Sequence, residues 1–250
     1  MNRSRLLLAG VALVLLAGVG AYVAYDQVLR GDSVAPLTLA SGAPEASPTE
    51  TTASARGGAS SQPASTDDGE VAGTWSVAGD SQAGYRVRER LASLSAESDA
   101  VGRTSDVTGS ITLESDGTTI TLTAGSITVD TTTIASDEDR RDNRLRTEGL
   151  QTDTYPSATF TITQPVEIPA AALDGTATEV TLVGDLELHG VTKSVSIPAQ
   201  ARLADGTIQV AGSITFPLAD FEIVAPNVGG FILSIADEGT LEFAVNFTKA

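Results

Sequence analysis

The sequence predicts an all-β domain, most simply an antiparallel barrel, placed behind one membrane-crossing helix and a linker. Three observations carry this. Apolar residues take alternate positions in run after run between Trp75 and Phe247, the period of a strand with one buried face. Ala, Gly, Ser, Thr and Val dominate while charged residues are 19%, which suits a sheet with many turns better than a helical bundle. Residues 6–25, LLLAGVALVLLAGVGAYVAY, carry no charge at all.

At ~1.5 Å rise per residue that apolar run spans roughly 30 Å of hydrocarbon, one membrane crossing. Arg3 and Arg5 precede it, whereas Asp26, Arg30 and Asp32 follow, so the positive-inside bias puts residues 1–5 in the cytoplasm and the rest of the chain outside. A single-pass cell-membrane protein with an extracytoplasmic C-terminal domain is therefore expected. A cleaved signal peptide is the alternative; the run exceeds a usual signal core, and the small residues Ala21 and Ala24 are interrupted by tyrosines. Residues 26–70 are mostly Ala, Ser, Thr, Pro and Gly with scattered acids, too polar to offset chain entropy by burial, and read as a flexible linker. Residues 71–250 are long enough for one domain with a sizeable core.

Within that domain the strand runs come in order. Trp75 and Val77 begin; Tyr85 and Val87, then Val107, Ile111 and Leu113, then Ile120, Leu122, Ile127 and Val129 follow. Ala158, Phe160 and Ile162 precede Val180, Leu182, Leu186 and Leu188; Val195, Ile197 and Leu203 precede Ile208, Val210, Ile214 and Phe216. Phe231, Leu233 and Ile235 lead to Leu241, Phe243, Val245 and Phe247. Turn chemistry punctuates them at Asp116-Gly117, Asp174-Gly175, His189-Gly190, Asp205-Gly206 and Glu238-Gly239. Eight to ten such strands make a closed meander, with two packed sheets as the alternative. Pro198 marks a bulge or strand end, because it cannot donate to a ladder. The pattern breaks at 134–149, IASDEDRRDNRLRTEG, read as a helix of about three turns with Ser136 as N-cap and Gly149 as stop. A second, weaker helical pattern runs over 89–99.

Composition also excludes. A net charge of -17 opposes a nucleic-acid partner. With no Cys and one His the chain has no disulfide, no thiolate and no multi-imidazole zinc site, so neither a metal nor another cofactor is expected. Neither G-x-S-x-G, H-E-x-x-H nor a phosphate loop occurs, no carboxylate pair stands out, and the chain reads as a binding protein and not an enzyme.

Four stretches carry a family resemblance. Ser126-Ile127-Thr128-Val129-Asp130-Thr131 leads to Arg141-Asp142-Asn143-Arg144-Leu145-Arg146, similar to an R-D-x-H-L-R element with Arg144 in place of His. Tyr155-Pro156-Ser157-Ala158-Thr159-Phe160, then Gly184-Asp185-Leu186-Glu187-Leu188-His189-Gly190-Val191-Thr192-Lys193, then Leu218-Ala219-Asp220-Phe221-Glu222-Ile223 complete the series. In order and spacing they resemble the YceI family over essentially all of 71–250. The resemblance implies a lipocalin-like antiparallel barrel of about eight strands with one or two short helices, binding a long-chain isoprenoid such as a polyprenyl lipid or quinone for carriage, storage or sequestration. A ligand-free interaction or structural domain at the cell surface is the alternative.

A hydrocarbon tail needs no directional partners, since each buried methylene contributes about 0.8 kcal/mol on its own. The inward stripe is thus the candidate lipid site, and its longer members are Tyr85, Leu122, Phe160, Ile162, Leu182, Leu186, Ile214, Phe216, Phe221, Phe231, Leu233 and Phe243. The plainer reading of each is ordinary core. The basic cluster Arg140, Arg141, Arg144 and Arg146 is a head-group candidate, set against a solvated helix end laced by local ion pairs. His189 and Lys193 join it as weaker candidates in a turn.

Overall fold

The computed structural model describes residues 34–39, 71–91, 97–225 and 232–250. The expected cytoplasmic N-terminus, the membrane helix at 6–25 and most of the expected linker lie outside the described residues. Among the described residues no helix is long and apolar enough to cross a membrane.

Twelve strands follow in chain order: β1 (Gly73–Val77), β2 (Gln82–Leu91), β3 (Glu97–Thr104), β4 (Val107–Ser115), β5 (Ile120–Asp130), β6 (Ser157–Ile162), β7 (Val166–Ile168), β8 (Thr178–Leu188), β9 (Val191–Ala204), β10 (Thr207–Pro217), β11 (Ile232–Ile235) and β12 (Glu238–Lys249). Every pairing is antiparallel. Strands β1, β4, β5, β6, β8, β9, β10 and β12 neighbour one another in that order, and β12 pairs back to β1, so eight strands close a barrel and settle the choice against two packed sheets. β1 and β2 share one edge of β12, β1 taking 247–249 and β2 taking 240–244. β3 and β11 extend from β2, and β7 pairs with 120–122 of β5.

The hairpin turns obey their sequences. His189 and Gly190 both have positive φ (53° and 74°), as do Asp205 and Gly206 (51° and 72°), the conformation that two-residue hairpins require. The turn expected at Glu238-Gly239 is instead strand, and the chain does not reverse there: β11 and β12 both run antiparallel to β2, Ile235 opposite Glu89 and Thr240 opposite Arg86. The irregular step at 236–237 is held by Ala236 N donating to Arg88 O and Leu218 N donating to Asp237 O. Pro198 sits inside β9 opposite Thr181 without a bulge, and the β9–β10 ladder begins one residue later at Ala199 and Gly212. The carbonyl of Pro198 faces Gly212, so its nitrogen also points to the side where pairing has stopped and no ladder bond is lost.

The helical stretch runs for about three turns and ends at Gly149 as expected, but it is not one regular α-helix and its cap differs. α1 is Asp139–Arg144, capped by Glu138, and the chain winds on through a π-helical turn at Leu145–Gly149. Ser136 is not the cap, because its N–H and hydroxyl are both committed to the buried carboxylate of Asp142. The second helix expected over 89–99 is a correction as well: 89–91 belong to β2 and 97–99 to β3, and Glu89 pairs with Ser98 across the sheet. Propensity there lost to cross-strand pairing. A single helical turn, α2 (Ala170–Leu173), precedes β8.

Among the described residues three apolar clusters make the core, the smallest being Val180, Ala199 and Ala201, and two matter for the site. One gathers Trp75, Ile111, Leu113, Ile120 and Phe247, with Trp75 Nε1 donating to Val71 O at 2.9 Å. The other gathers Leu186, Leu188, Phe216 and Phe221.

Candidate functional site

Both clusters contribute to the wall of a cavity of about 250 Å³ inside the barrel, lined almost wholly by apolar atoms. An engineered cavity of ~150 Å³ already holds benzene, so this lumen admits a hydrocarbon chain. Small residues keep it open: Ala83, Ala100, Gly125 and Ala158 face it where larger side chains would fill it. Two glycines seat its rings. A Cβ at Gly102 would stand 2.3 Å from Tyr85 Cε1, and one at Gly184 would stand 2.7 Å from Phe160 Cζ.

Of the expected lipid-contacting residues, Tyr85, Leu122, Phe160, Ile162, Leu182, Leu186, Ile214, Phe216 and Phe243 line the cavity together. Phe221 does not. It is 1% exposed behind the wall, its ring edge-on to Phe216 at 4.8 Å, and its carbonyl meets His189 Nδ1 at 3.0 Å. Phe231 lies outside the described residues, and Leu233 is on β11 with its side chain outside them. The choice of longer residues missed Ile127, Val129, Ile197 and Val245, which the same alternation marks, and Leu145 and Leu150, which reach the lumen from the helical stretch.

One end of the cavity is polar, and strand alternation explains it. Tyr85, Val87 and Glu89 occupy the inward face of β2, and Glu89 is 3% exposed. A buried carboxylate needs a partner. Arg141 supplies one, with Nη2 donating to Glu89 Oε1 at 2.8 Å while Nη1 reaches Asp137 and the Ser136 hydroxyl. Burial disfavours the charge on Arg141, but Glu89 and Asp137 outweigh it and hold the guanidinium above its ordinary pKa. Burial pushes the Tyr85 hydroxyl up to about 12, so it is neutral and a donor at physiological pH. That hydroxyl and Arg141 Nε are both buried without a protein partner, and both side chains line the cavity.

The other cations are placed differently. Arg144 also lines the rim while bonding Glu148 Oε1 at 2.7 Å, the i to i+4 pair of a helix. Arg140 is exposed and away from the cavity. Arg146 holds the helical stretch to the barrel through Ile134 O at 3.3 Å and to Asn143 Oδ1 at 3.1 Å. Lys193 pairs with Asp220 at 2.9 Å near the surface, and His189 is buried edge-on to Tyr155 at 4.6 Å; neither lines the cavity. Among the described residues no group of three or more His, Asp or Glu is placed to hold a metal ion.

Closed walls, a hydrocarbon-lined lumen and one ion-paired polar end define the class: a lipocalin-like barrel with room for an apolar chain. The chain belongs to the YceI-like domain family, which residues 76–247 match. It is 39% identical over 75 residues to Protein YceI of Shigella flexneri, an alignment covering 30% of this chain and 35% of that one, so the match spans about a third of the curated relative. Among solved structures it is similar to a polyisoprenoid binding domain from Saccharophagus degradans implicated in plant cell wall breakdown. That likeness has a TM-score of 0.55 at 19% identity, over 72% of this chain and 99% of that one. Burkholderia cenocepacia BcnA aligns with a TM-score of 0.50 at 15% identity, over 66% of this chain and 95% of that one. At these identities the structural likenesses show the fold.

Proposed function

We propose that the barrel binds one long-chain isoprenoid lipid, tail in the lumen and head at the Tyr85–Arg141 end, and acts in its carriage, storage or sequestration outside the cytoplasm. The apolar cavity carries this reading. A barrel serving only as a solid interaction domain would leave about 6 kcal/mol unrealised in a 250 Å³ void, at ~24 cal/mol per Å³. The polyisoprenoid binding named for the Saccharophagus degradans domain supports the same ligand class. The apolar run at 6–25 supports a membrane anchor with the barrel on the extracytoplasmic side, close to its lipid source.

Charge at the polar end favours a neutral head. Arg141 is already matched by Glu89 and Asp137, and Asp142 adds a further buried carboxylate beside them. A pyrophosphate would meet net negative potential there, whereas a hydroxyl or quinone oxygen would take the idle donors of Tyr85 and Arg141. The test is competition by isothermal titration among a polyprenol, a prenylquinone and the matching polyprenyl pyrophosphate. The neutral ligands should bind at least tenfold tighter. Equal or tighter pyrophosphate binding overturns the head-group reading, and no binding by any of the three overturns the carrier reading. Alkaline extraction of membranes and external protease access test the anchor and its orientation.

A further inference from the structure

Residues 34–39, Val-Ala-Pro-Leu-Thr-Leu, fall inside the stretch whose composition reads as linker, yet they lie against the barrel. The surface they meet is the outer side of β2 and β3. Tyr85 and Val87 point into the lumen, so Arg86 points out, and its cross-strand partner Val101 and the next outward residue, Arg103, share that side. Arg86 Nη2 donates to Val34 O at 2.8 Å, and Arg103 Nη2 donates to Ala35 O. Both guanidiniums also hold Glu242 of β12, at 3.4 and 2.7 Å, and that carboxylate is 2% exposed. Val101 is only 7% exposed although it belongs to the outward face and joins none of the core clusters. Leu37 and Leu39 are half-buried. Pro36 suits an extended peptide that is read through its carbonyls, since it lacks an N–H and fixes φ.

We propose that residues 34–39 are a strap, docking the chain's own N-terminal region on the outer wall of β2, β3 and β12. The strap changes the reach of the domain. Without it, residues 26–70 would separate the apolar run from the barrel by up to roughly 150 Å of extended chain; with it, only residues 26–33 do, roughly 28 Å at most. On the reading that 6–25 is a membrane anchor, the barrel is then held at the bilayer surface and does not roam on a long leash. The docking itself does not depend on the anchor or on any lipid.

The chain has no native Cys, so spin labels can be placed cleanly. The full chain in detergent, carrying Thr38→Cys in the strap and Thr248→Cys at the exposed end of β12, is measured by double electron–electron resonance. One narrow distance is expected, broadened when Arg103→Lys removes the fork and lost when residues 34–39 are replaced by Gly and Ser. Circular dichroism of the Gly/Ser chain checks that its barrel is intact. A distribution in the parent chain as broad as in the Gly/Ser chain overturns the strap. A narrow distance that appears only on mixing two singly labelled chains also overturns it, and assigns the wall to a second copy.

Discussion

Ala158→Phe places a phenyl ring in the lumen from β6, where alanine now leaves space. If the cavity is a tail site, the ring takes the place of roughly four methylenes of ligand, and at ~0.8 kcal/mol each the loss is about 3 kcal/mol, a Kd more than a hundredfold weaker. The same ring fills void, so the empty protein should gain stability or stay within about 1 kcal/mol, because void is penalised at ~24 cal/mol per Å³. Affinity is read by titration with a polyprenol and stability by urea denaturation of delipidated protein. The opposite pair of results would refute the reasoning. Overpacking of a solid core costs about 1–3 kcal/mol in folding and would leave affinity for an adventitious lipid untouched.

Arg141→Met should orphan the carboxylate of Glu89 and cost about 3 kcal/mol in urea denaturation, while adding Glu89→Met should restore most of it, since a buried pair removed whole is often near neutral. Tyr85→Phe removes a hydroxyl that lacks a protein partner, so the empty barrel should be unchanged or slightly more stable, while affinity for an oxygen-headed lipid falls. Burial raises the Tyr85 hydroxyl from 10.0 to about 12, so from pH 10 toward 12 the unfolded chain ionises where the folded one does not; stability measured across pH 9–12 should therefore fall more steeply in the parent protein than in Tyr85→Phe. Gly190→Ala should cost more than about 1 kcal/mol, because the residue has φ of +74° and a Cβ there meets Tyr155 Cε1 at 2.5 Å, yet lipid affinity should hold because the hairpin tip is off the cavity.

Strand alternation made the barrel legible, and with it most of the lumen, because period and burial are one fact on a closed sheet. It failed where a residue's surroundings come from elsewhere in the chain. Phe221 reads as one more inward aromatic, but it belongs to a 3-10 turn at Leu218–Phe221 that packs behind Phe216. The weaker helical pattern over 89–99 is overridden by pairing across β2 and β3. Arg141 stood out only as one of four clustered arginines; what separates it from Arg140 is Glu89, 52 residues away in sequence and brought opposite by the barrel. The strap at 34–39 lies in a stretch whose composition argues against order, and its docking depends on two arginines far along the chain.

The most direct test of the account is native mass spectrometry of the chain from residue 34 onward, purified from cells without detergent, followed by solvent extraction. The account predicts close to one prenyl lipid per chain, identified in the extract and lost from the Ala158→Phe protein. A clean empty mass that persists after incubation with polyprenols and prenylquinones would contradict it.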